Sequence, residues 1–232
     1  MEKIANESLE NSKYKTDIIP ELKSYVINLI QQILPDIEQN NYGLIAIDDV
    51  SGRVPGLIIT KIVNEILAKK GFQRLLAIGI KPKSLPYLDD KKADPSLIQS
   101  KEFLEKYKSK NRKKILVVSE ALNTGGNYKI LETFFNTLNL SSFDLVTLTS
   151  LYPIEKYEVS NGNRIFTSNV KWFESPNPAV DKLPDNTVLV GFIRGDAGKS
   201  YLLTGEAQKF IMKQVRADIS ILAKEIIFEL NL

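Results

Sequence analysis

Residues 115–127, ILVVSEALNTGGN, have the residue types and the spacing of a phosphate-binding loop. Four apolar residues at the start predict a buried strand, and apolar residues at helical spacing follow the segment. Backbone N–H groups in a glycine loop and at a helix N-terminus bind phosphate, and glycine lets the backbone approach the anion closely. We therefore predict phosphate binding by Thr124, Gly125, Gly126 and Asn127.

The same loop leaves a second interpretation open. Two glycines between a strand and a helix are also typical of an ordinary βα turn, because short motifs often match by chance. Glu120 favours ligand binding, since a carboxylate near the end of a strand can bind ribose hydroxyls or a divalent cation. A phosphorylated sugar is therefore the ligand that this segment favours.

The 232-residue chain contains no cysteine and no histidine. Their absence excludes disulfide bonds, thiolate nucleophiles, Cys/His zinc sites and histidine-based triads. Any catalysis must use carboxylates, hydroxyls, lysine or arginine, and we expect Mg²⁺ to contribute. With 43% hydrophobic and 25% charged residues, the chain has the composition of a globular protein.

Charge and hydropathy limit the expected partners. The formal net charge of +3 does not indicate nucleic-acid binding unless the cations form a concentrated patch, so nucleic acid is not an expected partner. The most basic run, KYKSKNRKK at residues 106–114, is either a solvated helix end and loop or a contact for a polyanion, pyrophosphate or nucleic acid. No secretory signal and no apolar run of membrane length is visible, so we expect a cytoplasmic protein without a membrane partner.

Strand and helix patterns alternate along the chain. A helix opened by Pro20 precedes a strand at residues 44–47, and a helix that starts at Pro55 leads to a strand at residues 75–80. Short links between strand, helix and strand imply a parallel crossover. We predict an α/β fold, an open, mainly parallel sheet with helices on both faces, an N-terminal helix, and a C-terminal extension of β-structure and a long amphipathic helix.

Three segments, in order, resemble type I phosphoribosyltransferases. Residues 115–127 resemble the phosphoribosyl-pyrophosphate signature, an apolar strand, two acidic residues and an acidic-Thr-Gly-Gly-Thr loop. Residues 43–60, GLIAIDDVSGRVPGLIIT, resemble the strand, pyrophosphate loop and Val-Pro-Gly helix start of the bacterial xanthine-guanine enzymes. Residues 171–176, KWFESP, resemble their aromatic hood. The likeness covers roughly residues 43–176 and is nearest in pattern to those bacterial enzymes.

This resemblance implies a division of the chain into four segments. They are a mobile tail at residues 1–17, an α/β core at 18–150, a hood-like segment at 151–186, and a C-terminal strand and long helix at 187–232. The hood-like segment has four prolines and no visible regular structure. The long connection at residues 81–113 corresponds to a flexible loop that closes over the substrate in the family.

The resemblance also implies a ligand and roles for site residues. The ligand is phosphoribosyl pyrophosphate or a nucleotide, bound with Mg²⁺, and Glu120 would hold the ribose hydroxyls and the metal. Asn123 occupies the position of the catalytic loop acid, and Trp172 would stack on a base. A core or interface tryptophan remains an equal alternative for Trp172. The pyrophosphate loop would comprise Asp49, Val50, Ser51, Gly52 and Arg53, joined by Lys81.

Four positions depart from the family pattern. Ser119 and Asn123 replace acidic residues, Asn127 replaces a hydroxyl residue, and Val50 stands in place of an arginine. Asparagine cannot take up a proton at neutral pH, and fewer carboxylates weaken Mg²⁺ binding. Standard purine salvage is therefore not expected.

Three functional hypotheses remain open. The first is an atypical phosphoribosyltransferase, in which Glu120 and either Asp48 or Asp49 supply the negative charge. The second is a catalytically inactive regulator that binds the same ligand. The third is a scaffold with a vestigial pocket. Such a scaffold would form a homodimer through its terminal helices.

Overall fold

A computed structural model describes most of the central part of the chain. The described residues are 13–14, 18–48, 53–80, 82, 101–107, 113–122, 126–140, 142–150, 154–157, 159, 162–168, 188–189, 192–194, 200–202 and 206–232. The description leaves out the side chains of residues 18, 21, 120, 121, 126, 127 and 156 and those from 188 to 212.

Five parallel strands form the central sheet. Their order is β2-β1-β3-β4-β5, and every neighbouring pair is parallel. The strands are β1 (Tyr42–Asp48), β2 (Ala77–Ile80), β3 (Lys114–Leu122), β4 (Phe143–Ser150) and β5 (Arg164–Thr167). After β1 the chain adds β2 on one side of it. It then returns to the other side of β1 with β3 and continues outward through β4 and β5.

Helices cover both faces of this sheet. One layer comprises α1 (Ile18–Glu21), α2 (Lys23–Glu38), α3 (Arg53–Lys69) and α6 (Glu206–Glu229). The opposite layer comprises the helical residues 101–107, here α4, and α5 (Gly126–Thr137). A short 3-10 turn at Ile154–Lys156 lies beside the second layer.

Alternating side chains of β1, β3 and β4 build two separate cores. Ile45 and Ile47 of β1 pack with the first helical layer, whereas Leu44 and Ala46 pack with the second. This period of two is the expected consequence of strand geometry, and strands buried on both faces are continuously apolar. The predicted open parallel sheet with helices on both faces is confirmed.

The start of α3 lies unusually close to β1 because residue 56 is glycine. A Cβ atom at Gly56 would lie 2.7 Å from Cγ2 of Ile47, closer than side chains normally pack. Pro55 fits the first turn of α3, where backbone N–H groups have no partner within the helix. The helix ends at Lys69, before Gly71, whose φ of +76° favours glycine.

Two features differ from the sequence expectation. Residues 150–186 carry no visible pattern of regular structure, but β5 lies within them and forms an edge of the sheet. In the predicted mobile tail, the Tyr14 hydroxyl donates a hydrogen bond to Oε2 of Glu225 at 2.7 Å, so this residue contacts α6. Neither feature has a local sequence signal, since both depend on partners far along the chain.

The C-terminal part contains the predicted β-structure and the predicted long helix. Strands β6 (Val188–Leu189), β7 (Phe192–Arg194) and β8 (Ser200–Leu202) form a small antiparallel sheet. The helix α6 packs its apolar side chains against α1, α2 and α3. Among the described residues, no helix is long and apolar enough to cross a membrane.

Candidate functional site

The strands β1 and β3 are neighbours at the point where the strand order reverses: β2 is added on one side of this pair, and β4 and β5 are added on the other. Their carboxyl ends lie side by side. These strands are neighbours, yet β1 leads to α3 on one face and β3 leads to α5 on the other. Open α/β proteins bind ligands at such a point, in the crevice outside the carboxyl ends of the strands. The side chains that end β1 and β3 are therefore the candidates for ligand contacts.

A serine and a carboxylate meet across this crevice. The Ser119 hydroxyl of β3 donates a hydrogen bond to Oδ2 of Asp48, the last residue of β1, at 3.3 Å. Ser119 is buried and Asp48 is partly buried. The last residue of β1 thus places a carboxylate beside the Ser119 hydroxyl of β3.

The carboxyl end of β4 continues this edge with hydroxyl side chains. The Ser150 and Tyr157 hydroxyls lie 2.9 Å apart, and Tyr157 also donates to the backbone oxygen of Leu122 at 3.2 Å. These bonds connect β4, the end of β3 and the 3-10 turn. The Thr149 hydroxyl is buried and has no hydrogen-bond partner. A buried hydroxyl without a partner is costly, so it marks a polar position that the fold leaves unsatisfied.

Two helices start at the crevice. Arg53 opens α3 after β1, and Gly126 opens α5 after β3. Neither helix has an acidic residue in its first turn, so the partial positive charge of each N-terminus is not neutralised from within the helix. The edge therefore combines one carboxylate with two helix N-termini, an arrangement suited to a ligand that has both hydroxyl and phosphate groups.

The structure places only some of the predicted site residues. Arg53 is partly buried at the start of α3, Gly126 and Asn127 open α5, and the backbone of Glu120 lies within β3. The side chains of Glu120 and Asn127 are outside the described part. The remaining predicted residues also lie outside it: Asp49, Val50, Ser51, Gly52, Lys81, Asn123, Thr124, Gly125 and Trp172.

Asp48 is the site residue that the sequence identified least clearly. Its chain position suggested it only as an alternative to Asp49, because the sequence does not say which strand lies beside β3. The register of β1 against β3 pairs Ile47 with Val118, and this brings the next residues of the two strands together. A pattern of acidic residues at strand ends was the one available signal.

The described residues provide only a partial metal site. No group of three or more acidic residues gathers among the described residues in a way that could hold a metal ion. Asp48 can supply one oxygen ligand near the crevice, so most of the oxygens that Mg²⁺ needs would have to come from a diphosphate and water. The donor chemistry thus fits a magnesium ion that arrives with its ligand.

The amino edge of the same sheet contains a buried ionic network. The Asp144 carboxylate is fully buried and accepts from the Tyr42 hydroxyl at 2.9 Å and from Lys114 Nζ at 3.0 Å. It also accepts from the backbone N–H of Arg164 at 3.0 Å and from its Nη2 at 2.6 Å. Since a carboxylate has about four acceptor positions, this one has no capacity left for a substrate.

Titration behaviour at the amino edge follows from these contacts. Burial, together with the nearby Asp144 charge, raises the pKa of Tyr42, and hydrogen bonds to Asp144 and Asp36 raise the pKa of Arg164. Burial alone would raise the pKa of Asp36, but hydrogen bonds from Arg164 and Asn41 outweigh it and lower that pKa. These groups keep one protonation state at neutral pH, which suits a structural role.

Comparisons with known proteins give a weak structural likeness. No protein-family model matches the chain, and no curated protein matches it in sequence. Among solved structures, it is similar to a hypoxanthine-guanine phosphoribosyltransferase from Schistosoma mansoni in complex with IMP, with a TM-score of 0.38 and 12% identity. The match covers 65% of this chain and 64% of that enzyme, less than two thirds of its length. The sheet order defines the fold independently of this likeness.

Proposed function

We propose that the crevice at the carboxyl ends of β1 and β3 binds phosphoribosyl pyrophosphate or a nucleoside monophosphate. The observation that supports this most directly is the Ser119–Asp48 contact at the reversal point of the sheet. It places a carboxylate where ribose hydroxyls can donate to it, between two helix N-termini that can each receive a phosphate group.

Each part of the ligand has a candidate binding element. The 5′-phosphate would accept backbone N–H bonds from the Thr124–Asn127 loop and the start of α5. Glu120 and Asp48 would accept hydrogen bonds from the ribose hydroxyls. Arg53, at the start of α3, would lie on the side of the pyrophosphate. Lys81 would contact the pyrophosphate, and Trp172 would stack on a base.

The proposed reaction is transfer of phosphoribose to an aromatic nitrogen acceptor. The bond from ribose C1 to the acceptor nitrogen would form as the bond from C1 to the pyrophosphate oxygen breaks, and pyrophosphate would leave. Mg²⁺, when bound, would neutralise charge on the leaving pyrophosphate. The Asp48 carboxylate would stabilise positive charge that develops on the ribose, because a fixed charge in a crevice acts without reorganisation. Asn123 leaves the loop without a general base, so the proton of the acceptor nitrogen would pass to the leaving pyrophosphate or to water.

A second candidate function is ligand binding without catalysis. It is favoured by the low number of carboxylates, since Ser119 and Asn123 stand where acidic residues would be and the described residues form no three-acid cluster. Such a protein would respond to phosphoribosyl pyrophosphate or a nucleotide as a regulatory subunit. Both functions use the same crevice, and the presence or absence of turnover separates them.

The binding test is isothermal titration calorimetry with phosphoribosyl pyrophosphate, with and without Mg²⁺. We expect saturable micromolar binding to the wild type and none to Gly125→Val, because a side chain there blocks the approach of the backbone to phosphate. Asp48→Asn should weaken binding about tenfold, whereas Asp36→Asn, a matched change at the opposite edge, should leave it unchanged. Absence of binding under both conditions would contradict the proposal.

Turnover is tested separately by a coupled assay for released pyrophosphate. A panel of purine, pyrimidine and other aromatic acceptors, each with Mg²⁺ and phosphoribosyl pyrophosphate, is added to the wild type and to Asp48→Asn. Release that needs an acceptor and falls in the variant supports the transferase. Binding with no release for any acceptor supports the regulator instead.

A further inference from the structure

The described residues of the basic run at 106–114 do not lie at the proposed ligand crevice. Lys113 directly precedes β3, so it stands at the amino edge of the sheet, opposite the crevice. Lys106 lies near the end of the helical residues 101–107 and lines the same groove as Lys113. A contact with the pyrophosphate of a ligand in the crevice is therefore not the role of these two residues.

The first groove at this edge is basic and partly aromatic. It has a volume of about 620 Å³ and is lined by the cations Arg74, Lys106 and Lys113, together with the rings of Phe103 and Tyr107. Among the described residues that line it, none is acidic. Leu76, which also lines this groove, is 64% exposed, and Phe72, which precedes the lining residue Gln73 in the chain, is 37% exposed. The surface thus offers positive charge beside apolar and aromatic groups.

A second groove adjoins the first. It lies between the C-terminal halves of α3 and α6, has a volume of about 670 Å³, and contains Lys61, Lys69 and Lys224. Arg74 lines both grooves, so they share a wall. The single acidic residue of the second groove, Glu65, lies 3.7 Å from Arg74. Since α3 runs from the carboxyl edge to the amino edge, its C-terminal half lies away from the crevice.

The second groove also carries the most exposed aromatic ring of the described part. Phe228 on α6 is 85% exposed, and its neighbour Ile227 also lines the groove. A ring on an exposed helix position does not contribute to the core. A flat apolar face beside several cations is the combination that binds nucleobases and phosphates together.

We infer that the two grooves form one binding track for single-stranded nucleic acid. The basic track is defined by the cations Lys61, Lys69, Arg74, Lys106, Lys113 and Lys224. Six cations and one acidic residue along adjoining grooves match an extended polyanion, which carries a phosphate and a stackable base at every unit. A single mononucleotide would fill only one of the two grooves, and an acidic peptide has no base to stack on Phe228.

The small net charge of the chain conceals this patch. A formal charge of +3 over 232 residues does not indicate nucleic-acid binding, because many acidic residues lie elsewhere. The fold gathers cations from α3, α4, α6 and the segments before β2 and β3 onto one side. The track rests on observations separate from those that support the ligand crevice.

The test is fluorescence anisotropy with labelled 20-nucleotide oligo(U) and oligo(dT), titrated with the full chain at several salt concentrations between 50 and 200 mM. We expect dissociation constants of about 1–100 μM at the lowest salt, and weaker binding as salt rises. Arg74→Ala/Lys106→Ala should weaken binding roughly tenfold or more at the lowest salt and reduce the salt slope by about 1.4, since each cation contributes about 0.7. Lys213→Ala/Arg216→Ala, which removes two exposed cations outside the track, should bind as the wild type does.

A second variant tests the stacking surface. Phe228→Ala should weaken binding about fivefold or more with the salt slope unchanged, and the ring is so exposed that folding should not suffer. Poly-glutamate is the competing polyanion. No binding at 50 mM salt, equal binding by Arg74→Ala/Lys106→Ala, or equal affinity for poly-glutamate would each overturn the inference. Phosphoribosyl pyrophosphate should not displace the oligonucleotide, so failure here and failure at the crevice remain distinguishable.

Discussion

The two edges of the central sheet use polar residues in opposite ways. At the amino edge, Asp144 accepts four hydrogen bonds from groups on β1, β3 and β5, and every acceptor position is filled. At the carboxyl edge, the Ser119–Asp48 bond is longer, at 3.3 Å, and the Thr149 hydroxyl has no partner. One edge is closed by internal bonds, and the other presents polar groups to a crevice.

The polar residues of the amino edge stabilise the fold, whereas those of the carboxyl edge are the ones proposed to bind a ligand. Breaking a buried ion pair leaves an uncompensated charge and costs several kcal/mol, so the amino edge tolerates little change. A site must retain groups that bind something other than the protein itself, and such groups contribute little to folding. The comparison predicts that equivalent substitutions at the two edges have unequal effects on stability.

The largest effect is expected from Asp144→Asn. The change leaves Lys114 and Arg164 without their buried counter-charge, and we expect a loss of about 3 kcal/mol in unfolding free energy, at the lower limit for buried pairs because both cations are partly exposed. Urea unfolding followed by circular dichroism measures it. The exposed variant Glu65→Gln, which removes a weak surface pair, should cost less than 1 kcal/mol. Equal losses in the two variants would remove the basis for the comparison.

Gly56→Ala tests how α3 is held at the crevice. The added methyl group would meet Ile47 at 2.7 Å, and we expect a net loss of about 1–2 kcal/mol, since overpacking outweighs the better helix propensity of alanine. Thermal unfolding provides the measurement. In an Ile47→Ala background the same change should cost nothing, because the clashing atoms are gone. A loss that persists there would point to another cause.

Asp36 makes the stability of the folded protein depend on pH. Hydrogen bonds from Arg164 and Asn41 lower its pKa in the folded protein, so its contribution to stability is present above the unfolded value of about 4 and is lost as pH falls through the folded pKa. We expect Asp36→Asn to be less stable than the wild type by about 1 kcal/mol at pH 7. Denaturation between pH 7 and pH 2 should show this difference shrinking with acid, and a constant difference would contradict the assignment.

The smallest effect on stability is expected from Asp48→Asn. Its carboxylate is partly buried and the Ser119 hydroxyl donates to it at the long distance of 3.3 Å, so we expect a change within about 0.5 kcal/mol. The same variant should lose affinity for phosphoribosyl pyrophosphate, as proposed above. Urea unfolding and calorimetry on one preparation give both values. A loss of 2 kcal/mol or more would place Asp48 among the structural residues instead.

Sequence patterns identified most of the sheet because its strands are continuously apolar. The run from Ile115 to Val118 and the helical spacing that follows it depend on local residues alone, and the structure contains both elements. The sequence did not predict the strand β5, because it has only four residues and begins with Arg164, whose role depends on Asp144 in the neighbouring strand. Tertiary contacts of this kind leave no periodic pattern.

The candidate site was predictable only in part for a similar reason. Glycine and threonine in a loop give a local signal, and on this signal the sequence predicts phosphate binding by residues 124–127. The role of Asp48 depends on the pairing of β1 with β3, which are far apart in the chain. The basic track required still more, because its cations come from five separate segments.

The pairing of β1 with β3 also has a consequence for the order of folding. Ser119 and Asp48 are separated by 71 positions, whereas β3, α5 and β4 follow one another directly along the chain. Local units assemble faster than contacts that close a long loop. We therefore expect the half that contains β3 and β4 to form first and β1 to join it afterwards. The crevice between them would be among the last parts to appear, so the recovery of ligand binding during refolding would time the final step.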